Sequence, residues 1–287
     1  MKTGVATAER RPVVSFLGTH AIGVFLAAVF AAPIAWAVLS SFKSPMEARQ
    51  PPLPPWPSTG LSLENYSALN GFGNGLVQPA LNSIYVTGMT VLLSVLISVL
   101  AGYGFSRFRF PFKNLLFMMI LSTIMIPFQS ILTPIFLILT KLGLHNTLTG
   151  LVGVYVTLQL PFSIFMMRNA FDAVPREIEE AARMDGANDA SLLIRVMLPL
   201  VWPGIVTIAL FAFLGAWNEF LAALVLMTDQ GKFTLPVMMT ALQSGRFGAI
   251  DWGAVQAGVT VMMIPCLVLF LLLQRYYIRG LTAGAVK

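Results

Sequence analysis

Six stretches of this sequence, near residues 16–41, 82–105, 115–140, 148–167, 201–227 and 254–274, are mostly apolar over about 20 residues or more. That length carries an α-helix across the roughly 30 Å hydrocarbon core of a bilayer. Composition leaves little alternative: 57% of residues are hydrophobic, 10% are charged and the mean hydropathy is +0.80. Soluble domains carry about 25% charged residues, so this chain needs lipid as its solvent. The first stretch superficially matches a secretory signal, with Arg10-Arg11 ahead of it and Ala35-Trp36-Ala37 near its end. Its apolar run exceeds the 7 to 15 residues of a signal core, which predicts an uncleaved span. The expected fold is therefore an all-α integral membrane protein with six transmembrane helices. Residues 1–15 and 281–287 form tails around a body at 16–280. Pro127, Pro134, Pro161 and Pro265 lie within the apolar stretches and are expected to kink their helices.

Orientation follows from the distribution of Lys and Arg. With the N-terminus inside, thirteen of the eighteen basic residues fall on the cytoplasmic side and five outside. The positive-inside rule then places both termini in the cytoplasm. The same distribution accounts for the basic pI of about 9.7, and no nucleic-acid partner is needed to explain it. The loop at 171–200, between the fourth and fifth stretches, becomes cytoplasmic. Half of the chain's twelve carboxylates fall in or beside it: Asp172, Glu177, Glu179, Glu180, Asp185 and Asp189.

The loop has its own local grammar. Pro175 suits the first position of a helix, where a missing N–H costs nothing, and Glu177 and Glu179 follow where the helix dipole favours negative charge. Gly186 is suited to a left-handed C-terminal stop. The spacing predicts a short helix over 176–185. Ile178, Ala181, Ala182 and Asp185 share one side, and Arg176, Glu179, Glu180 and Arg183 share the other. Asn188 is placed to cap a second helix with an apolar stripe of Leu192, Leu193 and Val196. Pro199 should push Leu198 out of helical geometry and turn the chain into the fifth span.

Glu180-Ala181-Ala182, then Gly186, Val196 and Leu198-Pro199 at their spacing, resemble the EAA loop of the permease subunits of binding-protein-dependent ABC importers. Isoleucine is the more usual family residue at the Val196 position. Trp217-Asn218-Glu219-Phe220 and Tyr276-Tyr277-Ile278-Arg279-Gly280-Leu281 resemble the maltose-type carbohydrate branch, so the likeness extends over nearly the whole chain. It implies the type I importer permease fold in a bacterial or archaeal cytoplasmic (inner) membrane. It also implies a second, different permease subunit as partner, two ATPase subunits, an extracytoplasmic solute-binding protein and a sugar substrate, with a di- or oligosaccharide first.

By the same resemblance the loop docks in a cleft of the ATPase. Ala181, Ala182 and Gly186 would allow close approach, Glu180 would face the partner, and Val196, Leu198 and Pro199 would fix the joint to the fifth span. A loop at 228–253 would reach the solute-binding protein, with Gln243, Ser244 and Arg246 as contact candidates.

Chemistry that would let the chain work alone is missing from the sequence. There is no G-x-x-x-x-G-K-[ST] phosphate loop, so ATP and Mg2+ are expected on the partner ATPase and no cofactor in this chain. His20 and His145 stand far apart with no H-E-x-x-H pattern, and no metal site or catalytic residue is expected. Cys266 lies in an apolar run and reads as packing. Gly71–Gly75 lacks the spacing of a nucleotide loop and reads as an external turn.

Two other polar features remain. In the outer loop at 42–81, the proline-rich stretch at 51–60 should be stiff and extended, and a short interfacial helix should follow it. Within the spans, Glu219 is the sole acidic residue, beside Asn218, and Gln129 and Gln159 lie in the third and fourth stretches. These four are candidates for a solute pathway, because polar groups at bilayer depth usually face protein or water. One intramembrane carboxylate is poor equipment for an ion-coupled secondary transporter, the main alternative, and an intramembrane enzyme lacks its nucleophile and base.

Overall fold

Apolar runs this long satisfy their backbone hydrogen bonds internally as helices. The computed structural model describes residues 13–49, 54–71, 73–243 and 250–283, and every regular element among them is helical. In chain order these are α1 (Val13–Ser41), α2 (Pro45–Ala48), α3 (Glu64–Asn70), α4 (Val77–Arg107), α5 (Lys113–Ser122), α6 (Phe128–Lys141) and α7 (Leu148–Asp172). They continue as α8 (Arg176–Met184), α9 (Asp189–Ser191), α10 (Leu198–Trp217), α11 (Leu221–Leu226), α12 (Leu235–Gln243) and α13 (Trp252–Ala283). Among the described residues five helical segments are each long and apolar enough to cross a membrane, or six if the bent pair α5–α6 counts as one span.

That bent pair corrects one expectation. The third stretch does not form one kinked helix over 115–140: it breaks, and its halves meet at 104°. Pro127 is the cause. The residue before a proline is pushed away from helical geometry, and Ile126 adopts φ −82° and ψ 117° after a 3-10 turn at Thr123–Met125. Pro127 then stands at the N-cap of α6. Pro134, Pro161 and Pro265 remain inside their helices.

The chain divides into two compact units, the first comprising the described residues to Leu69 with Ile250–Val261. In this unit α1 presents apolar side chains outward, Phe30 being 75% exposed, as a lipid-facing helix does. Polar contacts help to hold the loop that follows α1. Asn65, in the predicted short helix, is buried and donates from Nδ2 to the carbonyls of Ser41 (3.0 Å) and Lys43 (2.7 Å). Glu47 accepts from the Ser58 amide (2.8 Å), the Ser58 hydroxyl (2.7 Å) and the Thr59 hydroxyl (2.9 Å).

These donors, led by the Ser58 amide, lower the Glu47 carboxyl from 4.5 to about 2. Its folded pKa is depressed, so its contribution is complete above pH 4.5 and is lost as pH falls through about 2. Glu47→Ala is expected to speed amide exchange at Ser58 at neutral pH, while the parent loses that protection only in strong acid.

In the second unit α4, α7 and α10 pack against one another. Along α4 the buried residues Ser83, Thr87, Thr90, Ser94 and Ser98 recur every three or four positions, the small-residue stripe by which membrane helices approach closely. The approach is tightest at Gly102. A Cβ there would lie 2.6 Å from Met167 Cβ and 2.9 Å from the Arg168 amide nitrogen. Backbone would have to move, so Gly102→Ala is expected to cost about 1–3 kcal/mol, as overpacking does, and to lower the melting temperature of the detergent-solubilised protein.

Two apolar clusters flank the stripe. One gathers Val86, Leu151, Tyr155 and Leu226. The other gathers Val99, Tyr103, Met167, Phe171, Leu192 and Met197, and α8 rests against it through Ala182.

Candidate functional site

The acidic loop folds much as its local signals predict. Pro175, with φ −57° and ψ 141°, caps α8 from one position earlier than expected. Glu177 and Glu179 occupy the first turn and Arg183 the last, a charge order that suits the helix dipole. At the far end Gly186 adopts φ +87°. The Gly186 amide donates to the Arg183 carbonyl and the Ala187 amide to the Ala182 carbonyl, both at 3.0 Å. This is the glycine-closed helix end in which two otherwise unsatisfied carbonyls find donors. Asn188 then accepts the Ser191 amide at 2.8 Å, as an N-cap.

Beyond this cap the structure departs from expectation. Pro199 does not turn the chain: Leu198 is helical, with φ −59° and ψ −43°, and one helical segment runs from Asp189 to Trp217. The helix widens instead. Leu192–Met197 form a π-helical turn, with the Leu198 amide donating to the Leu193 carbonyl. The extra residue in that turn accommodates a proline that would otherwise collide with the carbonyl four residues back. Val196 and Leu198 pack on the second apolar cluster, whereas Pro199 is exposed. The short helix is therefore joined to α10 without a second hinge.

The two sides of α8 also differ from the predicted pattern. Glu180, Ala181 and Asp185 are exposed, as are Ile178 and Gly186, while Ala182 turns inward to the core. Met184, not singled out from the sequence, is the most protruding apolar side chain of the loop at 89% exposure. Glu179, grouped from the sequence with Arg176, Glu180 and Arg183 on the charged side, is buried and forms an ion pair with Arg107 at the end of α4. No local pattern announces this pair, because its members belong to elements distant in sequence.

Around the pair lies a polar collar. Arg107 Nη2 donates to the Val174 carbonyl at 2.7 Å, and the Ser106 hydroxyl donates to Asp172 Oδ1 at 2.5 Å. Arg168 lies 3.5 Å from Asp172 Oδ2 and stacks 4.1 Å over the Phe117 ring. Arg183 pairs with Asp189 at 2.6 Å, which raises the guanidinium pKa.

The intramembrane candidates occupy separate settings. Glu219 sits in a break between α10 and α11. It accepts the Tyr155 hydroxyl at 2.6 Å and the amides of Ala222 (2.9 Å) and Ala223 (3.2 Å). The carboxylate thus caps α11 and ties it to α7, and the fifth stretch, expected as one helix over 201–227, is interrupted there. Asn218 is exposed and turns back to the Leu214 carbonyl. Gln159 is half-buried and donates to Ser163, while Gln129 is exposed on α6.

Glu219→Ala removes one acceptor from three donors and is expected to cost about 1–3 kcal/mol. A thermal melt in detergent should show a larger loss than for Tyr155→Phe. An unchanged melt with lost transport would instead mark Glu219 as a pathway residue.

On the opposite side, the segment entering α12 is anchored to α4. Asn82 Nδ2 donates to the carbonyls of Gly231 and Phe233, each at 2.9 Å, and Ser83 Oγ accepts the Leu235 amide at 2.8 Å. Gln243 is exposed at the end of α12, and Ser244 and Arg246 lie outside the described residues.

Residues 94–283 match the model of a family described as the binding-protein-dependent transport system inner membrane component. The chain is 36% identical to the trehalose/maltose transport system permease protein MalG of Thermococcus litoralis, over 93% of this chain and 95% of that protein. It is 32% identical to the diacetylchitobiose uptake system permease protein NgcG of Streptomyces coelicolor, over 94% and 88%. In fold it is similar to a chain in the crystal structure of a bacterial ABC transporter involved in the import of the acidic polysaccharide alginate. That similarity has a TM-score of 0.79 at 24% identity and covers 96% of this chain and all of that one.

Proposed function

Because the chain belongs to the binding-protein-dependent transport system inner membrane component family, we propose that it is the permease subunit of an ATP-driven carbohydrate importer. It resides in the inner membrane as a multi-pass protein and forms half of the translocation pathway, with both termini in the cytoplasm. The observation that carries the reading at the level of residues is α8: a short helix whose exposed residues are small or polar except for Ile178 and Met184, fixed to one continuous membrane helix.

Such a surface suits insertion into a cleft of a cytoplasmic partner. Ala181 and Gly186 permit close approach, Glu180 supplies a charge to a basic or polar group of the ATPase, and Met184 fills an apolar pocket. Ala182, Val196 and Leu198 act from the other side, holding the helix on the permease body. ATP and Mg2+ are bound by the ATPase pair.

A second, different permease subunit completes the pathway, and an external solute-binding protein delivers the sugar near Gln243, Ser244 and Arg246. The anchored base at Asn82 and Ser83 gives that external segment a fixed origin. Nucleotide and loaded carrier drive the change of access only through their differential affinity for the two states. Relatives named for trehalose, maltose and diacetylchitobiose support a di- or oligosaccharide as substrate.

Reconstitution of the assembled complex in liposomes tests this reading. Labelled disaccharide should accumulate only with ATP on the cytoplasmic side and the binding protein outside. Uptake that ignores ATP and collapses with the ion gradient would identify a secondary transporter instead.

A further inference from the structure

The connections of α8 are unequal. Three residues, Ala173–Pro175, link it to α7, and the turn through Gly186 links it to α9 and the continuous helix beyond. The helix α4 packs against both α7 and α10 but has no covalent link to α8. The polar tie between α4 and α8 is the ion pair of Arg107 with Glu179, whose side chains are 7% and 12% exposed, and it is the sole ion pair between these helices among the described residues. Arg107 is also held by the Val174 carbonyl, in the segment entering α8. One guanidinium therefore grips the α8 entrance through a carbonyl and its first turn through a carboxylate.

We propose that Arg107 and Glu179 form a charged clamp that makes α4 a second output of the coupling helix, so that displacement of α8 moves α4 together with α7 and α10. The clamp rests on the coupling role given to α8 above. Apolar contact alone gives α4 a weak hold, since the side chain that α8 presses on this core is the single methyl of Ala182. A buried guanidinium–carboxylate pair resists separation, because parting it leaves two buried charges without compensation. Arg107 and Glu179 are positioning residues: neither lies on the outer side of α8, and neither needs to touch solute or nucleotide.

The test is a double-mutant cycle of Arg107→Met and Glu179→Gln in the complete transporter, read in two ways. Amide exchange over residues 176–184 reports the hold on α8 without reference to transport. Sugar taken up per ATP hydrolysed reports coupling.

Each single variant should speed exchange about tenfold and lower uptake per ATP at least tenfold. The double variant has no orphaned buried charge. It should assemble in near-parental yield with exchange no faster than the single variants, yet remain uncoupled. Parental uptake per ATP in the double variant would overturn the clamp. So would exchange effects that simply multiply, or parental exchange in Glu179→Gln. A parental complex with no ATP-dependent uptake would reject the importer reading itself, while the exchange data would still report on the clamp.

Discussion

Ala181→Trp is expected to release the ATPase subunit while leaving the membrane body folded. Ala181 is exposed on α8, and the side chain that α8 presses on the core is its neighbour Ala182. Tryptophan is therefore accommodated by the free permease and obstructs only an incoming surface. A docked helix with a cleft closed around a methyl group has no room for an indole. Affinity for the ATPase should fall at least a hundredfold, or about 2.7 kcal/mol, with the detergent melting temperature unchanged. Co-elution of ATPase with the tagged variant measures it. Undiminished co-elution would mean that the partner does not approach this side of α8.

Gly186→Val should produce the second large effect, by a different route. No atom outside the neighbouring residues lies within 4 Å of a Cβ built at Gly186, so the variant creates no clash within the chain. Its φ of +87° is the difficulty: a β-branched residue is strained there by roughly 1–3 kcal/mol. The turn can relieve that strain by giving up the bonds from Gly186 and Ala187 that close α8, which re-aims the helix relative to α10. Uptake should fall more than tenfold while ATP hydrolysis persists.

Gly186→Asn provides the control, because asparagine tolerates left-handed geometry. Recovered uptake in that variant would assign the effect to the backbone. Continued loss would assign it to crowding at the docking surface. Full uptake in Gly186→Val would contradict the coupling role.

Gly186 was legible in the sequence because its signal is local, whereas Ala181 entered through the family resemblance, and its separation from Ala182 across the helix was not foreseen. Pro175, the acidic first turn, Gly186 and Asn188 each act within a few residues, and α8 follows them closely. The apolar stretches likewise anticipated where helices long and apolar enough to cross a membrane lie, since a bilayer imposes a length on any helix within it. What escaped depends on three-dimensional neighbours or on how much distortion a helix absorbs. The break before Pro127 and the continuity through Pro199 come from the same residue type with opposite outcomes. Ile126 adopts the extended geometry that a following proline favours. Leu198 stays helical because the π turn supplies slack and the second cluster holds Val196 and Leu198 in place.

Glu179 shows the other limit. Its helical position places it among charged residues, and only the end of α4 reveals that its partner is Arg107. Glu219 was identifiable as an intramembrane carboxylate, but the Tyr155 hydroxyl and the two amides that engage it required the packing of α7 against the break after α10.

The central claim is that the outer side of α8 docks on the ATPase. A photo-crosslinking residue at Met184, activated in native membranes, tests it most directly, because this side chain is 89% exposed and stands beside the proposed contact. Mass spectrometry of the adduct should identify an ATPase that carries the phosphate loop absent from this chain, with a yield that changes when ATP is supplied. The same label at Phe30 should capture lipid or a second membrane subunit. No ATPase adduct at Met184, alongside efficient crosslinking at Phe30, would contradict the account.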